Sequence, residues 1–416
     1  MTRRLLFLTP QLPYPPRQGT AIRNWGLISH LAKRNAVSLL SFVEAGQDSE
    51  PELLRTTCQH LVTVPAPRRS KTERVLSWLR GEADLGARLW SASFEPALRT
   101  LLDTTTFDFV HLEGLEMARY LDAVRAAAPK AHILYDAHNA EHVLQQRAFR
   151  SDMGQWRRWP AVAYSWQQAP RLARFEARVC RAAAGVVCVS REDAYALQRL
   201  VSELKPLVVP NGIDLADYAR AGARPTEMSN GDNLVFTGKM DYRPNVDAAL
   251  WFADEILPRI RAARPNASFL IVGQKPAASL TRRHGQDGVS VTGAVADARP
   301  YIGHARVYVA PLRMGGGTRF KLLEAMALAR PVVSTTLGAE GFQVQSGREL
   351  LLANDEAAFA EAVLALLADP ARSAALGQAG RAFVEDGYDW TRLIPRLDAL
   401  YSRMESHVGW DTGRAS

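Results

Sequence analysis

Short apolar runs alternate with longer amphipathic stretches along most of the chain. Each run is rich in Val, Ile, Leu or aromatic residues and ends near Gly, Pro, Asn or Ser, which is typical of strands buried on both faces. The predicted strands are 5–9, 36–43, 107–112, 132–137, 185–190 and 206–211, followed by 233–238, 268–273, 289–293, 306–311, 330–335 and 349–354. Between the runs, stretches such as 245–263 carry apolar residues at three- and four-residue steps, which predicts helices. The alternation predicts parallel sheets wrapped by helices.

This pattern occurs twice, which predicts two domains. A polar stretch that contains Pro and Gly, residues 210–233, separates the two sets of strands. We therefore expect an α/β protein of two doubly wound Rossmann-like domains that face each other across a cleft, with ligands at the carboxyl ends of the strands. The predicted boundaries are 1–205 and 206–388 for the domains, 389–404 for a C-terminal helix and 405–416 for a tail.

Composition limits the class of protein. The chain has 416 residues, of which 47% are hydrophobic and 23% are charged, the balance of a globular protein with two or three domains. No uninterrupted apolar run is long enough for a transmembrane helix, and the first run stops at Pro10, which favours a strand over a signal peptide. The three cysteines have no metal-type spacing. We therefore expect a cytoplasmic protein.

The excess of positive charge is confined to the first half. Residues 1–210 contain 28 Lys and Arg against 20 Asp and Glu, whereas residues 211–416 contain 23 of each, so that the net charge is +8. Residues 141–181 combine Arg147, Arg150, Arg157, Arg158, Arg171, Arg174, Arg178 and Arg181 with Trp156, Trp159 and Trp166. This pattern predicts either peripheral contact with the anionic inner face of the plasma membrane or a packed helix with a solvated outer face. We expect no nucleic-acid partner.

A glycine-rich turn before a helix is the sharpest local signal. The predicted strand 306–311 is followed by successive glycines, and Thr318 is placed to cap a helix that runs to Ala329. The glycines are Gly315, Gly316 and Gly317. Glycines let the backbone approach a ligand closely, and the first turn of a helix presents N–H groups to an anion.

Charged residues flank this turn and a second strand end. Lys321 lies in the first turn of the predicted helix, where a cation opposes the helix macrodipole, and Glu324 lies three residues later on the same face. Gly238 and Lys239 form a second glycine–cation pair after a strand, with Arg243 nearby. A cation for phosphate and a carboxylate for sugar hydroxyls, beside a glycine-rich helix start, predict a nucleotide-sugar site.

Other motifs narrow the choice of chemistry. Gly19 and Thr20 precede the amphipathic helix predicted at 21–34, and this helix start is a further candidate for contact with phosphate or sugar. The glycine pattern of dinucleotide oxidoreductases does not follow the first strand, and the P-loop and the nucleophile elbow are absent. No Asp-x-Asp flanks a strand end, which disfavours a sugar transferase that binds diphosphate through a metal.

His138 immediately follows a predicted strand and is therefore expected at the rim of the cleft. It also begins the pentapeptide HNAEH, in which His138, Glu141 and His142 match the inverted zinc-protease pattern. That pattern needs both histidines on one continuous helix, whereas His138 is expected next to a strand end. A zinc hydrolase is kept as an alternative.

Five segments of the chain occur in a familiar order. They are PNGID (210–214), FTGKMDYRPN (236–245), LIVGQKP (270–276), VTGAV (291–295) and GGGTRFKLLEAMALARPVVST (315–335). Together they resemble the retaining glycosyltransferases of family 4, which have the GT-B fold. In the first domain the resemblance rests on the Gly19 loop and on DAHN (136–139). It implies transfer of a sugar from a UDP- or GDP-type donor to a lipid-linked or saccharide acceptor in polysaccharide or glycolipid synthesis, with retention of configuration and without a metal or cofactor.

The resemblance also implies roles for single residues. Lys239 and Lys321 would bind the donor diphosphate, Glu324 would bind the ribose hydroxyls, and His138 would lie against the donor sugar near the reacting centre. The other residues implied in substrate binding are Gly19, Thr20, Gly238, Arg243, Val295, Gly315, Gly316, Gly317 and Thr318. Among these, the backbone around Val295 would meet the base, and Gly316 to Thr318 would contact the donor sugar and phosphate.

Two positions depart from the family pattern. Gly316 stands where the family has the first of two Glu residues, which usually touches the donor sugar, so the choice of donor sugar is not carried over. Asn245 stands where the family has a second phosphate-binding cation, and Arg243 is the candidate substitute. The remaining alternatives are a non-catalytic nucleotide-sugar-binding protein and an epimerase or phosphorylase of the same fold.

Overall fold

The computed structural model describes residues 2–16, 19–68, 81, 83–152, 159–315 and 320–411, without the side chains of 147–152, 159–165 and 407–411. The chain separates into two compact units. Unit 1 comprises Met1–Gly212 and Leu393–Ser416, and unit 2 comprises Ile213–Arg392.

Unit 1 is built on a sheet whose described strands are all parallel, in the order β3-β2-β1-β4-β5-β6-β7. The strands are β1 (Arg4–Thr9), β2 (Ala36–Val43), β3 (His60–Pro65), β4 (Phe109–Glu113), β5 (His132–Ala137), β6 (Gly185–Cys188) and β7 (Leu207–Val208). The helices are α1 (Gly19–Leu31), α2 (Glu52–Thr57), α3 (Asp84–Arg88), α4 (Phe94–Thr104), α5 (Leu121–Ala127), α6 (Glu141–Asp152), α7 (Trp159–Ala182) and α8 (Arg191–Leu200). The strand order reverses between β1 and β4, where ligands of doubly wound sheets bind.

Unit 2 contains a second parallel sheet, in the order β10-β9-β8-β11-β12-β13. Its strands are β8 (Asn233–Thr237), β9 (Ser268–Val272), β10 (Val289–Gly293), β11 (Val307–Ala310), β12 (Val332–Ser334) and β13 (Leu351–Leu352). Its helices are α9 (Arg243–Trp251), α10 (Leu257–Ala263), α11 (Ala278–Thr281), α12 (Arg299–Gly303), α13 (Phe320–Ala327), α14 (Glu356–Ala368) and α15 (Pro370–Gly387), and a π-helical turn (Phe252–Ile256) joins α9 to α10. The two sheets confirm the predicted fold class of two doubly wound Rossmann-like domains.

The apolar strands form because both of their faces are covered. Leu5 to Leu8 of β1 are fully buried, and the core on one sheet face contains Leu6 and Leu8 together with Leu40 of β2. The opposite face carries Phe7, which is paired with His111 of β4. Polar side chains therefore lie on a buried sheet face close to the reversal in strand order.

Strand β3 was not predicted from the sequence. It lies at the edge of the sheet, and most of its residues are half-buried rather than buried. An edge strand makes no doubly buried apolar run, which was the signal used for the other strands.

The helix predicted to reach Ala329 is shorter than expected. Helix α13 ends at Ala327, and Ala329 adopts a left-handed backbone with φ of 52°.

The C-terminal helix α16 (Trp390–Asp411) continues past its predicted end at residue 404. Tyr401 is fully buried, and its ring centre lies 4.6 Å from that of Phe109 in β4. Glu405 accepts a hydrogen bond of 2.8 Å from Nε of Arg3, which holds the next turn of the helix against the residue that precedes β1. These contacts explain why residues assigned to the tail are helical as far as Asp411. Among the described helices, none has the length and apolar composition needed to cross a bilayer.

Candidate functional site

The ends of β8 and β9 approach each other so closely that both are followed by glycine. A Cβ atom on Gly273 would lie 1.7 Å from the carbonyl oxygen of Gly238, and one on Gly238 would lie 2.9 Å from Nζ of Lys321. Both glycines have φ near +155°, a region that other residues rarely adopt. The glycine that sequence analysis placed at the end of β8 is therefore required by the backbone and brings Lys321 to this turn.

Lys321 lies in the first turn of α13 and is held by Asn245. Its Nζ donates a 2.8 Å hydrogen bond to Oδ1 of Asn245 and lies 4.2 Å from the centre of the Phe236 ring. Nδ2 of Asn245 donates at 2.9 Å to the carbonyl oxygen of Lys239. The residue that replaces the expected cation thus connects Lys321 to the backbone of Lys239.

The side chains of Lys239 and Arg243 are exposed. Nζ of Lys239 lies 3.7 Å from Oδ1 of Asp241, and 49% of the Lys239 side chain is accessible. An exposed pair of this kind contributes only about 0–1 kcal/mol, so an anionic ligand can attract the ammonium group at little cost. Lys321 thus lies at the Gly238 turn and is linked through Asn245 to the backbone of Lys239, whereas no described contact fixes Arg243 beside them.

Glu324 lies one turn after Lys321 and pairs with a tyrosine that sequence analysis missed. The hydroxyl of Tyr218 donates to Oε1 of Glu324 at 3.0 Å. Burial raises the pKa of Glu324, although the Tyr218 hydrogen bond and the Lys321 ammonium oppose that effect. Burial and the neighbouring carboxylate raise the pKa of Tyr218, so its hydroxyl stays a donor. Its signal in the sequence was an aromatic residue inside an otherwise polar linker.

The remaining candidates of unit 2 are only partly described. Gly315 has φ of 103°, which favours glycine, and Val295 is half-buried against the apolar cluster that contains Leu322. Gly316, Gly317 and Thr318 lie outside the described residues.

In unit 1, His138 follows β5 and reaches the end of β4. Its Nε2 lies 3.1 Å from Oε2 of Glu113, which is completely buried. Burial by itself would raise the pKa of Glu113, but His111 and His138 lower it to about 2. Burial likewise opposes charge on His138, yet the Glu113 hydrogen bond and the carboxylate of Asp136 raise its pKa. The geometry favours a carboxylate paired with an imidazolium.

A buried ion pair stands beside this histidine. Nη2 of Arg23, on α1, lies 2.9 and 2.8 Å from the two carboxylate oxygens of Asp136, and Nη1 donates to the carbonyl oxygen of Val209 at 3.0 Å. The side chains of Arg23 and Asp136 are 1% and 3% exposed. This pair was not predicted from the sequence, although an acid at the end of an otherwise apolar strand was a usable signal.

Glu113, Asp136 and His138 also place potential metal ligands within 4.8 Å of one another. Their donor atoms are already in use, because Arg23 occupies both oxygens of Asp136 and His138 pairs with Glu113. The guanidinium group supplies the positive charge that a metal would bring. This cluster therefore does not fit a metal ion.

The zinc-protease arrangement is not formed. Helix α6 begins only at Glu141, so His138 lies outside it. Nδ1 of His142 lies 2.6 Å from Oε2 of Glu176, whereas His138 pairs with Glu113. Two histidines held by separate carboxylates do not converge on one ion, and the zinc hydrolase alternative is wrong.

Gly19 and Thr20 begin α1, two residues before the predicted start. Thr20 lines a cavity of about 740 Å³ within unit 1, together with Gln11, Glu44, Arg88 and Glu116 among others. The remaining lining includes Pro10, Ala66, Pro67 and Leu89, so the cavity has a mixed polar and apolar surface.

Two doubly wound parallel-sheet units, with a lysine and a glutamate on the helix after the fourth strand of the second sheet, define the GT-B class of sugar transferases. The family described as Glycosyltransferase Family 4 matches residues 18–217, and the family described as Glycosyl transferases group 1 matches residues 231–369. The chain therefore belongs to the glycosyltransferases of family 4, which confirms the resemblance seen in the sequence.

Most of the curated relatives found are named as mannosyltransferases. The chain is 30% identical over 262 residues to the GDP-mannose-dependent alpha-(1-6)-phosphatidylinositol monomannoside mannosyltransferase of Mycolicibacterium smegmatis, covering 57% of this chain and 67% of the relative. It is also 30% identical over 210 residues to the phosphatidyl-myo-inositol mannosyltransferase of Propionibacterium freudenreichii subsp. shermanii, covering 48% and 51%. The chain spans about half the length of the curated relatives it matches most significantly.

Solved structures share the fold at low sequence identity. Sucrose-phosphate synthase from Thermosynechococcus elongatus superposes with a TM-score of 0.71 and 19% identity, over 97% of this chain and 100% of that one. HepE of Anabaena, solved in complex with UDP and glucose, has a TM-score of 0.66 and 14% identity, over 96% and 100%.

Proposed function

We propose that this chain is a retaining glycosyltransferase that moves a sugar from a nucleoside diphosphate sugar to a hydroxyl of a lipid-linked or saccharide acceptor. The observation that carries the proposal is the placement of Lys321 by Asn245 at the Gly238 turn, with Glu324 one turn later. In this proposal unit 2 binds the donor, and unit 1 binds the acceptor and supplies His138. GDP-mannose is the first donor to test because relatives are named as GDP-mannose-dependent, and UDP-glucose is the second because HepE has been solved in complex with it.

The chemistry of the donor site follows from charge. Cleavage of the anomeric bond leaves negative charge on the departing diphosphate, and preorganised cations that meet this charge are usually the largest catalytic contribution. Lys239 and Lys321, with the N–H groups at the start of α13, supply this stabilisation. Glu324 accepts hydrogen bonds from the ribose hydroxyls, and Tyr218 orients its carboxylate.

The acceptor side needs no separate base in this mechanism. The acceptor hydroxyl attacks the anomeric carbon on the face that the diphosphate leaves, and its proton passes to the departing diphosphate oxygen. His138 orients the reacting groups and stabilises charge, because the Glu113 carboxylate favours its protonated form. Retention of configuration follows from attack on the leaving-group face.

The proposal is tested by stability and by turnover. A ligand that binds only the native protein raises its melting temperature by mass action. A thermal-shift screen with GDP, UDP, ADP and their sugar conjugates should identify the base and the sugar. The best donor is then incubated with candidate acceptors, and released nucleoside diphosphate is measured. Binding without transfer or hydrolysis of any donor would favour the non-catalytic alternative.

We expect transfer activity to persist in excess EDTA, because lysine side chains and helix N–H groups meet the diphosphate charge in this mechanism. The measurement compares initial rates with and without the chelator, using protein dialysed free of metals. A complete loss that Mn²⁺ restores would contradict the metal-independent mechanism.

We also propose that unit 1 attaches peripherally to the anionic inner face of the plasma membrane. Trp166 of α7 is 70% exposed, and Arg174 on the same helix is exposed. By contrast, Arg178 and Arg181 pair with Asp122 and Glu203, which reduces their net contribution. An exposed tryptophan and an exposed arginine on one helix are typical of an interfacial contact.

The protein is expected to float with liposomes that contain anionic lipid at low salt, and to be released at high salt, because each Lys or Arg near the surface contributes about 1 kcal/mol before screening. The variant with Trp166→Ala and Arg174→Ser should bind less, whereas Arg178→Ser, which removes a neutralised arginine, serves as the matched control. Failure of the wild type to float at low salt would indicate a soluble acceptor and a solvated basic face.

A further inference from the structure

A buried chain of polar side chains runs from the C-terminal helix to His138 inside unit 1. The hydroxyl of Tyr401 on α16 lies 2.8 Å from Nε2 of His111, and Nδ1 of His111 lies 3.4 Å from Oε1 of Glu113. Oε2 of Glu113 then lies 3.1 Å from Nε2 of His138. The first three residues are at most 1% exposed, whereas 14% of the His138 side chain is accessible. This chain of contacts thus begins at Tyr401 in the core and ends at His138, which follows the carboxyl end of β5.

The chemistry of these groups determines which atoms donate. Glu113 is a carboxylate and only accepts, so the nitrogens that face its two oxygens, Nδ1 of His111 and Nε2 of His138, carry the hydrogens. With its hydrogen on Nδ1, His111 accepts at Nε2 from the Tyr401 hydroxyl. Burial raises the pKa of Tyr401 far above its usual value, which keeps that hydroxyl protonated. The facing atoms are then a donor and an acceptor at each contact, and the contact between His111 and Glu113, at 3.4 Å, is the longest of the three.

Aromatic packing holds the middle of the chain rigid. The rings of Phe7 and His111 are stacked with their centres 4.3 Å apart, and Phe109 packs against Tyr401 at 4.6 Å. Oε1 of Glu113 and Nδ1 of His111 lie 3.4 Å apart without hydrogen-bond geometry, and among the described residues neither atom has a hydrogen-bond partner. His111 is therefore the neighbour that balances the inner oxygen of Glu113.

We propose that Tyr401 and His111 are positioning residues that act through Glu113 to set the orientation and proton affinity of His138. The inference rests on the proposed function only in that His138 takes part in sugar transfer. In this proposal the C-terminal helix has a role in the chemistry of unit 1, through Tyr401, which is 290 residues away from His111 in the chain.

Other charged groups also face His138 and form a constant background. Asp136 contributes from β5 and Arg23 from α1, where the two are paired. Glu116 approaches from the turn after β4, and Glu141 from the start of α6. Burial, together with the charge of Glu116, raises the pKa of Glu141 to about 7. None of these four residues is altered in the variants below.

The test titrates His138 by NMR in protein with isotope-labelled histidine, the signal being assigned by its loss in His138→Gln. Glu113→Gln should lower the pKa of His138 by at least about one pH unit, because a carboxylate within hydrogen-bond distance is removed. Tyr401→Phe should raise the pKa of His138 by a few tenths of a pH unit. Without the Tyr401 hydroxyl at Nε2, the N–H group at Nδ1 of His111 becomes less positive and stabilises the Glu113 carboxylate less. That carboxylate then holds the His138 proton more tightly.

The matched control is Tyr120→Phe. Tyr120 is also buried in unit 1, but its hydroxyl donates to the carbonyl oxygen of Leu89 at 2.7 Å and has no link to His138. We expect the control to leave the titration unchanged. In the transfer reaction, Tyr401→Phe should reduce kcat about two- to tenfold, the equivalent of one hydrogen bond, with the KM for the donor unchanged.

The outcomes separate this inference from the proposed function. If Tyr401→Phe titrates like Tyr120→Phe, the positioning role is overturned whatever the activity, because the titration needs no substrate. If both pKa changes occur and kcat falls without a change in KM, the inference is supported. If the pKa changes occur and the wild type transfers no sugar, the proposed function fails while the coupling of Tyr401 to His138 stands.

Discussion

Replacement of Lys321 or Glu324 by Ala is expected to reduce donor affinity or turnover at least about tenfold. Each change removes a charged hydrogen-bonding partner from a ligand group, and such partners contribute about 1.5–3 kcal/mol. Lys321→Ala also leaves Asn245 without the ammonium group that it holds at 2.8 Å. The effect is measured as KM and kcat for the donor identified by the thermal-shift screen.

Two further variants make this prediction specific. Arg283→Ala removes an exposed ion pair with Asp254 in the same unit and should leave the kinetics unchanged. Tyr218→Phe removes only the hydrogen bond to Glu324 and should cause a smaller loss than Glu324→Ala. Near-wild-type kinetics in both Lys321→Ala and Glu324→Ala would rule out the donor-site assignment.

Arg23→Met is expected to lower the free energy of unfolding by about 3–5 kcal/mol, because it leaves the Asp136 carboxylate buried without its cation. Both side chains are almost completely buried, and Nη2 of Arg23 lies within 2.9 Å of both carboxylate oxygens. Arg23 also donates to the carbonyl oxygen of Val209 next to β7, so the change loosens a second contact. Urea denaturation of the variant and the wild type provides the measurement.

The double variant Arg23→Met with Asp136→Leu should recover much of this loss, because apolar residues of similar volume can replace a buried ion pair without an unpaired charge. Arg99→Ala offers the exposed comparison. It breaks an i,i+4 pair with Glu95 and should cost less than about 1 kcal/mol. If Arg23→Met lowers the free energy of unfolding by less than Arg99→Ala does, the prediction is wrong. Asp136 would then not remain a buried, unpaired charge when Arg23 is removed.

The donor side of the site shows how much a local pattern can predict. Gly238 could be located from the sequence because it directly follows a buried strand, and a side chain at this turn would crowd Asn245 and Lys321. Lys321 and Glu324 could be located because both lie on one helix, where a spacing of three residues places them on the same face. What the local pattern missed was Asn245 as the partner of Lys321, since the two are 76 residues apart in the chain.

In unit 1, most residues around His138 could not be predicted from the local sequence. His138 was found from its position after a strand, but Glu113 and Arg23 were missed because they meet His138 and Asp136 only when β1, β4 and β5 pair and α1 packs on the sheet. Tyr401 was missed for the same reason, since it reaches His111 from a helix at the other end of the chain. A single charged or polar residue in an apolar segment carries no local sign of its partner.

The sequence by itself determined the two parallel sheets, most of their strands and the family, because each depends on periodicity or on motifs of a few neighbouring residues. Only the tertiary structure decided which buried charges are paired, that β3 is an edge strand, and that the last helix packs on the first unit. The physical reason is that burial penalises a charge until a distant partner compensates it. Which partner does so depends on strand order and helix packing, which no local pattern specifies.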